Sequence, residues 1–125
     1  MLVEGNPVLI GIDIIENERF ARALGRRPRL TERVFTKNER DYCLSKPNPA
    51  QHFAARFAAK EAVGKALGTG VRAWREIEIT SGGKPRVSMT GDTGRRAAEL
   101  GVSDLSISIS HCGKVSVAVA AAPGT

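Results

Sequence analysis

Ala50–Leu67 reads AQHFAARFAAKEAVGKAL, and this stretch decides the fold. It is dense in alanine, a strong helix former, and it stops at Gly68-Thr69-Gly70. The small residues Ala54, Ala55, Ala58, Ala59, Ala62 and Gly64 let another backbone approach closely. We therefore expect much of this helix to be packed. Upstream, Ser45–Pro49 (SKPNP) reads as loop, because each proline disfavours helix at and just before itself. Before it, Thr36-Lys37-Asn38-Glu39 has the form of a capping box and predicts a helix over Lys37–Leu44. Thr31 and Glu32 open a short turn after the break at Pro28. Residues Glu16–Leu24 read as a helix ending near Gly25. The run Val8–Ile15 (VLIGIDII) is almost continuously apolar and β-branched, which predicts a buried strand.

Downstream of the long helix, strands are expected over Glu76–Thr80 and Arg86–Met89. They are joined by a hairpin turn at Gly82-Gly83. A short helix follows over Asp92–Leu100. Leu105, Ile107 and Ile109 then alternate with Ser106, Ser108 and Ser110. Val115, Val117 and Val119 repeat the pattern after a turn at Cys112-Gly113-Lys114, so a second antiparallel hairpin is expected. Ala121–Thr125 reads as a loose tail. The order is strand, several helices, then strands. It predicts an α+β fold, a compact single domain over residues 1–125 with a long Ala-rich helix packed on antiparallel strands.

The chain has 125 residues and no apolar stretch near the ~20 residues that span a bilayer. It shows no secretory signal pattern, and Cys43 and Cys112 form no CxxC pair. A reducing cytoplasm fits best. The formal net charge is +6, with Arg19, Arg22, Arg26, Arg27, Arg29 and Arg33 in one short stretch. That charge asks for an acidic partner or a solvated helix face, and alone it does not choose between them.

Asp13 is the first residue that asks for an explanation. Flanked by Ile12, Ile14 and Ile15, it needs a cation, a hydrogen-bonding cluster or an open strand end. The plainer alternative is a cap on the next helix. Glu61 is the second, lying between Phe57 and Ala58 on the helical wheel. Its plainer alternative is an i,i+4 pair with Lys65. Two carboxylates from different elements suit Mg²⁺, which takes one or two carboxylates plus waters and substrate phosphates. Arg56, Lys60 and Lys65 lie close by on the same helix and would neutralise a polyphosphate. His111, at a strand end, is either solvated or a donor or base beside phosphates. Walker, HExxH, GxSxG and GxGxxG motifs are absent.

Gly11-Ile12-Asp13-Ile14, Phe57-Ala58-Ala59-Lys60-Glu61-Ala62 with Lys65-Ala66, and Ser108-Ile109-Ser110-His111 together resemble the holo-acyl-carrier-protein synthases. Phe35-Thr36 with Glu39, and Gly83-Lys84-Pro85, match further landmarks of that family. The resemblance implies a 4′-phosphopantetheinyl transferase-like fold. It also implies transfer of phosphopantetheine from coenzyme A to a serine of the acyl carrier protein, in support of fatty-acid synthesis. By resemblance, Asp13 and Glu61 are magnesium ligands, with Glu61 and Lys65 also catalytic. Arg56, Lys60, Lys65, Pro85, Ser110 and His111 would bind the coenzyme. Arg19, Arg26 and Arg29 would receive the acidic carrier protein. A cytoplasmic homotrimer with sites between subunits is implied, with neither nucleic acid nor membrane as partner. The chain departs from the family at Asn17, where an apolar residue is usual, and at Cys112, where Thr, Ser or Asp is usual. A nucleic-acid-binding module would explain the arginines equally well, but the chain is only 5% aromatic and leaves Asp13 unexplained. A nucleotide hydrolase is the other rival.

Overall fold

The computed structural model describes residues 8–80 and 82–123. The long helix, α4, spans Pro49–Leu67. It begins one residue earlier than expected because proline suits the first helical turn, where its missing N–H costs nothing. It ends at Gly68, whose φ of 77° is left-handed. Three antiparallel strands lie across it: β1 (Val8–Glu16), β4 (Ser106–His111) and β5 (Val115–Pro123), in the order β1-β5-β4. A separate ribbon pairs β2 (Ile77–Ile79) with β3 (Val87–Met89). The remaining helices are α1 (Asn17–Arg26), α2 (Leu30–Val34), α3 (Lys37–Leu44) and α5 (Gly91–Glu99). The α+β expectation holds.

The helix and sheet meet backbone to backbone. A Cβ on Gly11 would stand 2.7 Å from the Ala66 amide nitrogen and closer still to the Ala62 carbonyl oxygen. Only small residues fit such an interface. From β5 these are Ser116, Ala118, Ala120 and Ala122, each at most 4% exposed. The period-two alternation expected for Val115, Val117 and Val119 is present in β5, and the contact decides which of its faces is buried. The valines are too large for the gap, and they lie on the outer face. The buried-strand reading of β1 is corrected. Its run of apolar residues is buried on one face only, and Val8, Ile10, Ile12 and Ile14 are 59–65% exposed. The expected loose tail is in fact strand, since β5 continues to Pro123, paired with Val8. Gly124 and Thr125 lie outside the described residues.

A second core joins α1, α2 and α3 to the first half of α4. The Phe35 and Phe53 rings lie 4.8 Å apart, Phe20 and Phe57 4.9 Å, and Phe57 stacks on Trp74 at 4.9 Å. α1 starts one residue late and runs through Gly25. The helix stops at Arg27, where the following Pro28 excludes helical backbone. Asn17 is buried and hydrogen-bonded at both ends of its side-chain amide. Its amide nitrogen donates to the Cys112 carbonyl at 2.7 Å, and its oxygen accepts from the Ser116 hydroxyl at 2.7 Å. A polar residue thus serves where an apolar one is usual, because it ties the start of α1 to the β4–β5 turn.

The capping box at Thr36 forms as expected, but its glutamate does more than cap. Glu39 is 1% exposed and accepts from the amides of Thr36 and Ile79, each at 2.8 Å. It also pairs with Lys60 Nζ at 2.6 Å. Lys60 is fully buried, and it donates further to the carbonyls of Ile77 at 2.5 Å and Trp74 at 3.0 Å. All three ammonium donors are taken. Burial pushes the Lys60 pKa down, and the Glu39 carboxylate opposes that. This corrects the placing of Lys60 among the coenzyme-binding cations: it pins α4 to α3 and β2 instead. Lys60→Met and Glu39→Gln should each destabilise the chain by about 3–5 kcal/mol, because each leaves its buried partner uncompensated. Urea unfolding of the double variant should show a cost well below the sum of the two. Additive costs would contradict a direct pair.

Candidate active site

Alternation along β1 turns Asp13 toward α4, between Gly11 and Ile15, while Ile12 and Ile14 turn outward. The close approach at Gly11 brings Asp13 to the stretch of α4 that carries Glu61 and Lys65. Lys65 Nζ lies 3.0 Å from Asp13 Oδ1 and 2.9 Å from the Ile12 carbonyl oxygen. Among the described residues, the ion pair that Lys65 makes is to Asp13, not to Glu61 one turn earlier. The Glu61 carboxyl is held above the usual range, first by burial and then by the Asp13 charge, with Lys65 pulling it back. Asp13, Glu61 and Lys65 are therefore one electrostatic unit.

Two mutually repelling carboxylates, partly withdrawn from water, favour a cation between them. Their hard oxygen donors suit magnesium. Among the described residues no group of three or more His, Cys, Asp or Glu side chains is placed to hold a metal. A metal held by Asp13 and Glu61 would take its remaining ligands from water or substrate phosphate. Magnesium takes that arrangement in phosphate-handling sites, whereas closed structural zinc does not.

A second cluster forms a cleft of about 150 Å³ between α3, α4, β4 and the β2–β3 turn. It gathers Arg56, Pro85 and His111 with Tyr42 and His52. The Arg56 guanidinium lies 4.2 Å from the centre of the Tyr42 ring, and Lys46 Nζ 4.7 Å from it. The His52 and His111 rings are 5.6 Å apart, and Gln51 bonds His111 Nδ1. Burial, then His111, Arg56 and Lys46, hold the His52 pKa below its ordinary value. This is a cationic surround fit for an anion. Tyr42, Lys46 and His52 were missed in the sequence, where only the shared i,i+4 face of His52 and Arg56 hinted at them.

Ser110 is not brought to the cleft. It is exposed on the opposite face of β4 from Ile109 and His111, across from Val117. The carboxylate unit and the cleft also stand apart. Asp13 is on β1 and His111 on β4, the two edges of the sheet, separated by β5. That is two strand spacings, about 10 Å. Beside Asp13, a mostly apolar groove of about 500 Å³ runs between β1 and α1, lined by Ile14, Ile15 and Phe20 with Arg19 at its edge. Arg26, the last residue of α1, and Arg29 just beyond it are exposed, next to Arg27 and Arg33.

Residues 9–120 match the model of the 4′-phosphopantetheinyl transferase superfamily. The chain is 51% identical over 114 residues to the holo-acyl-carrier-protein synthase of Moorella thermoacetica, covering 88% of this chain and 89% of that one. It is 43% identical over 121 residues to that of Caldanaerobacter subterraneus, covering 94% and 95%. Among solved structures, the Neisseria meningitidis holo-acyl-carrier-protein synthase superposes with a TM-score of 0.82 at 28% identity, covering 99% of each chain. The Helicobacter pylori synthase, solved with coenzyme A, gives 0.77 at 28% identity, covering 93% of this chain and 99% of that one.

Proposed function

This chain belongs to the holo-acyl-carrier-protein synthases of the 4′-phosphopantetheinyl transferase superfamily, and we propose that Asp13, Glu61 and Lys65 form its reaction centre. The protein transfers 4′-phosphopantetheine from coenzyme A to a serine of apo acyl carrier protein, giving the holo form and adenosine 3′,5′-bisphosphate. One observation carries the reading of the site: a raised Glu61 beside Asp13, with Lys65 bridging to the aspartate. Asp13 and Glu61 would hold Mg²⁺, which draws charge from a diphosphate and orients it for displacement. Lys65 stabilises charge developing on the phosphates. Glu61 accepts the serine proton, directly or through a water it holds. Arg56, Pro85 and His111 bind the coenzyme, with Tyr42 and His52 completing the cleft. We read residues 1–125 as one domain. We place the enzyme in the cytoplasm, serving fatty-acid synthesis, where free Cys43 and Cys112 suit a reducing compartment. No helix of the described residues is long and apolar enough to cross a membrane.

We further propose a homotrimer. The outer face of β1 exposes Val8, Ile10, Ile12 and Ile14, beside Val117 and Val119 of β5. Burying one such side chain contributes about 1.5–3 kcal/mol, so a contiguous strip favours association. Assembly through this face would also unite the two half-sites. The β1 edge of one protomer, with Asp13, would meet the β4 edge of its neighbour, with His111. The exposed Arg26 and Arg29, with Arg19 by the apolar groove, would steer the acidic carrier protein.

Four outcomes test these readings. Incubation with apo carrier protein, coenzyme A and Mg²⁺ should add one phosphopantetheine to the carrier by mass. Asp13→Ala or Glu61→Ala should cut that rate by about 100-fold or more, and near-normal transfer by either variant would refute the centre. Ile12→Asp should convert trimer to monomer in sedimentation velocity, and an intact trimer would exclude this face. For the carrier protein, kcat/KM should fall as salt rises. Arg26→Ala with Arg29→Ala should flatten that dependence, and an unchanged salt slope would remove these arginines from docking.

A further inference from the structure

The two acids of the centre share a cation that is part of the chain. Lys65 Nζ spends two of its three N–H donors on Asp13 Oδ1 and the Ile12 carbonyl. A dication held by the same carboxylates would meet this ammonium at contact distance, where like charges repel strongly. One of the two must leave Asp13. The Lys65 side chain is 52% exposed and the Asp13 side chain 18%, so the lysine is the partner with room to move. Its flexible four-carbon stem allows that movement.

We propose that Lys65 is the built-in counter-ion of the metal site, displaced from Asp13 onto the phosphates when a magnesium-bound diphosphate enters. The inference rests on the reading of Asp13 and Glu61 as magnesium ligands. Before displacement, Lys65 keeps two close carboxylates from facing each other uncompensated, and it fixes Asp13 against α4. After displacement, the same charge serves the substrate. Metal alone must compete with Lys65 and binds weakly. A diphosphate gives the ammonium a destination, so metal and diphosphate each tighten the other, by the same factor in both directions.

A purely structural strap between α4 and β1 makes the opposite prediction. In that case removing Lys65 would loosen Asp13 and weaken the metal site. The test is Mn²⁺ binding to the full chain, followed by the free-Mn²⁺ electron paramagnetic resonance signal, first alone and then with coenzyme A. Lys65→Met should bind Mn²⁺ alone about fivefold more tightly than wild type, the value of about 1 kcal/mol for a partly exposed ion pair. The tightening produced by coenzyme A should shrink in the same variant. Lys65→Arg, which keeps the charge, should stay near wild type. Lys65→Gln serves as a second neutral variant should the methionine variant aggregate. Equal or weaker Mn²⁺ binding by the neutral variants overturns the proposal while leaving Asp13 and Glu61 as ligands. Wild-type protein that binds no Mn²⁺ even with coenzyme A overturns both.

Discussion

The backbone of β1 lies against the backbone of α4, and the rest of the structure follows from that contact. Gly11 has no room for a Cβ against Ala62 and Ala66. Around it the facing residues of α4 and β5 are small, as Ala58, Ala62, Ser116, Ala118 and Ala120 are. The valines of β5, with Val8, Ile10, Ile12 and Ile14 of β1, lie on the outer face of the sheet. That leaves an apolar surface suited to another subunit. The same contact sets the site. Asp13 lies two residues beyond Gly11 on the same face of the strand, so it meets the turn of α4 that carries Glu61 and Lys65.

The helix is held from its other side by a buried ion pair. Glu39 and Lys60 join α3, α4 and β2 through five polar contacts in a region closed to water. Lys60 and Glu61 are adjacent in sequence but about 100° apart around the helix. One is a fixed point of the scaffold, and the other faces Asp13. The helix thus carries a locked charge on one face and a half-exposed charge, Lys65, on another. The first positions the site without touching it. The second has the exposure to take part in chemistry.

Local signals were legible in the sequence. The Ala-rich helix, the Thr36–Glu39 box and the alternation of Leu105, Ile107 and Ile109 each depend on a few neighbouring residues, and each forms close to where it was expected. Asp13 and Glu61 stood out because a carboxylate among apolar or small residues demands a partner. Their meeting across the strand–helix contact follows from Gly11. The failures all depend on distant parts of the chain. The valines on β5 show period two, but which face is buried follows only from the narrow gap beside α4. Lys60 resembled a phosphate ligand until Glu39, 21 positions upstream in the sequence, was found beneath it. His52 and His111 lie 59 residues apart and become a pair only when β4 crosses α4.

The central claim is that this strand–helix contact builds one magnesium and diphosphate centre from Asp13, Glu61 and Lys65. Crystals grown with coenzyme A and Mn²⁺ and measured for anomalous scattering test it most directly. The account predicts a manganese peak coordinated by the carboxylates of Asp13 and Glu61, with Lys65 Nζ moved from Asp13 to a phosphate oxygen. A peak held by other side chains, or a coenzyme diphosphate bound away from Asp13 and Glu61, would contradict it.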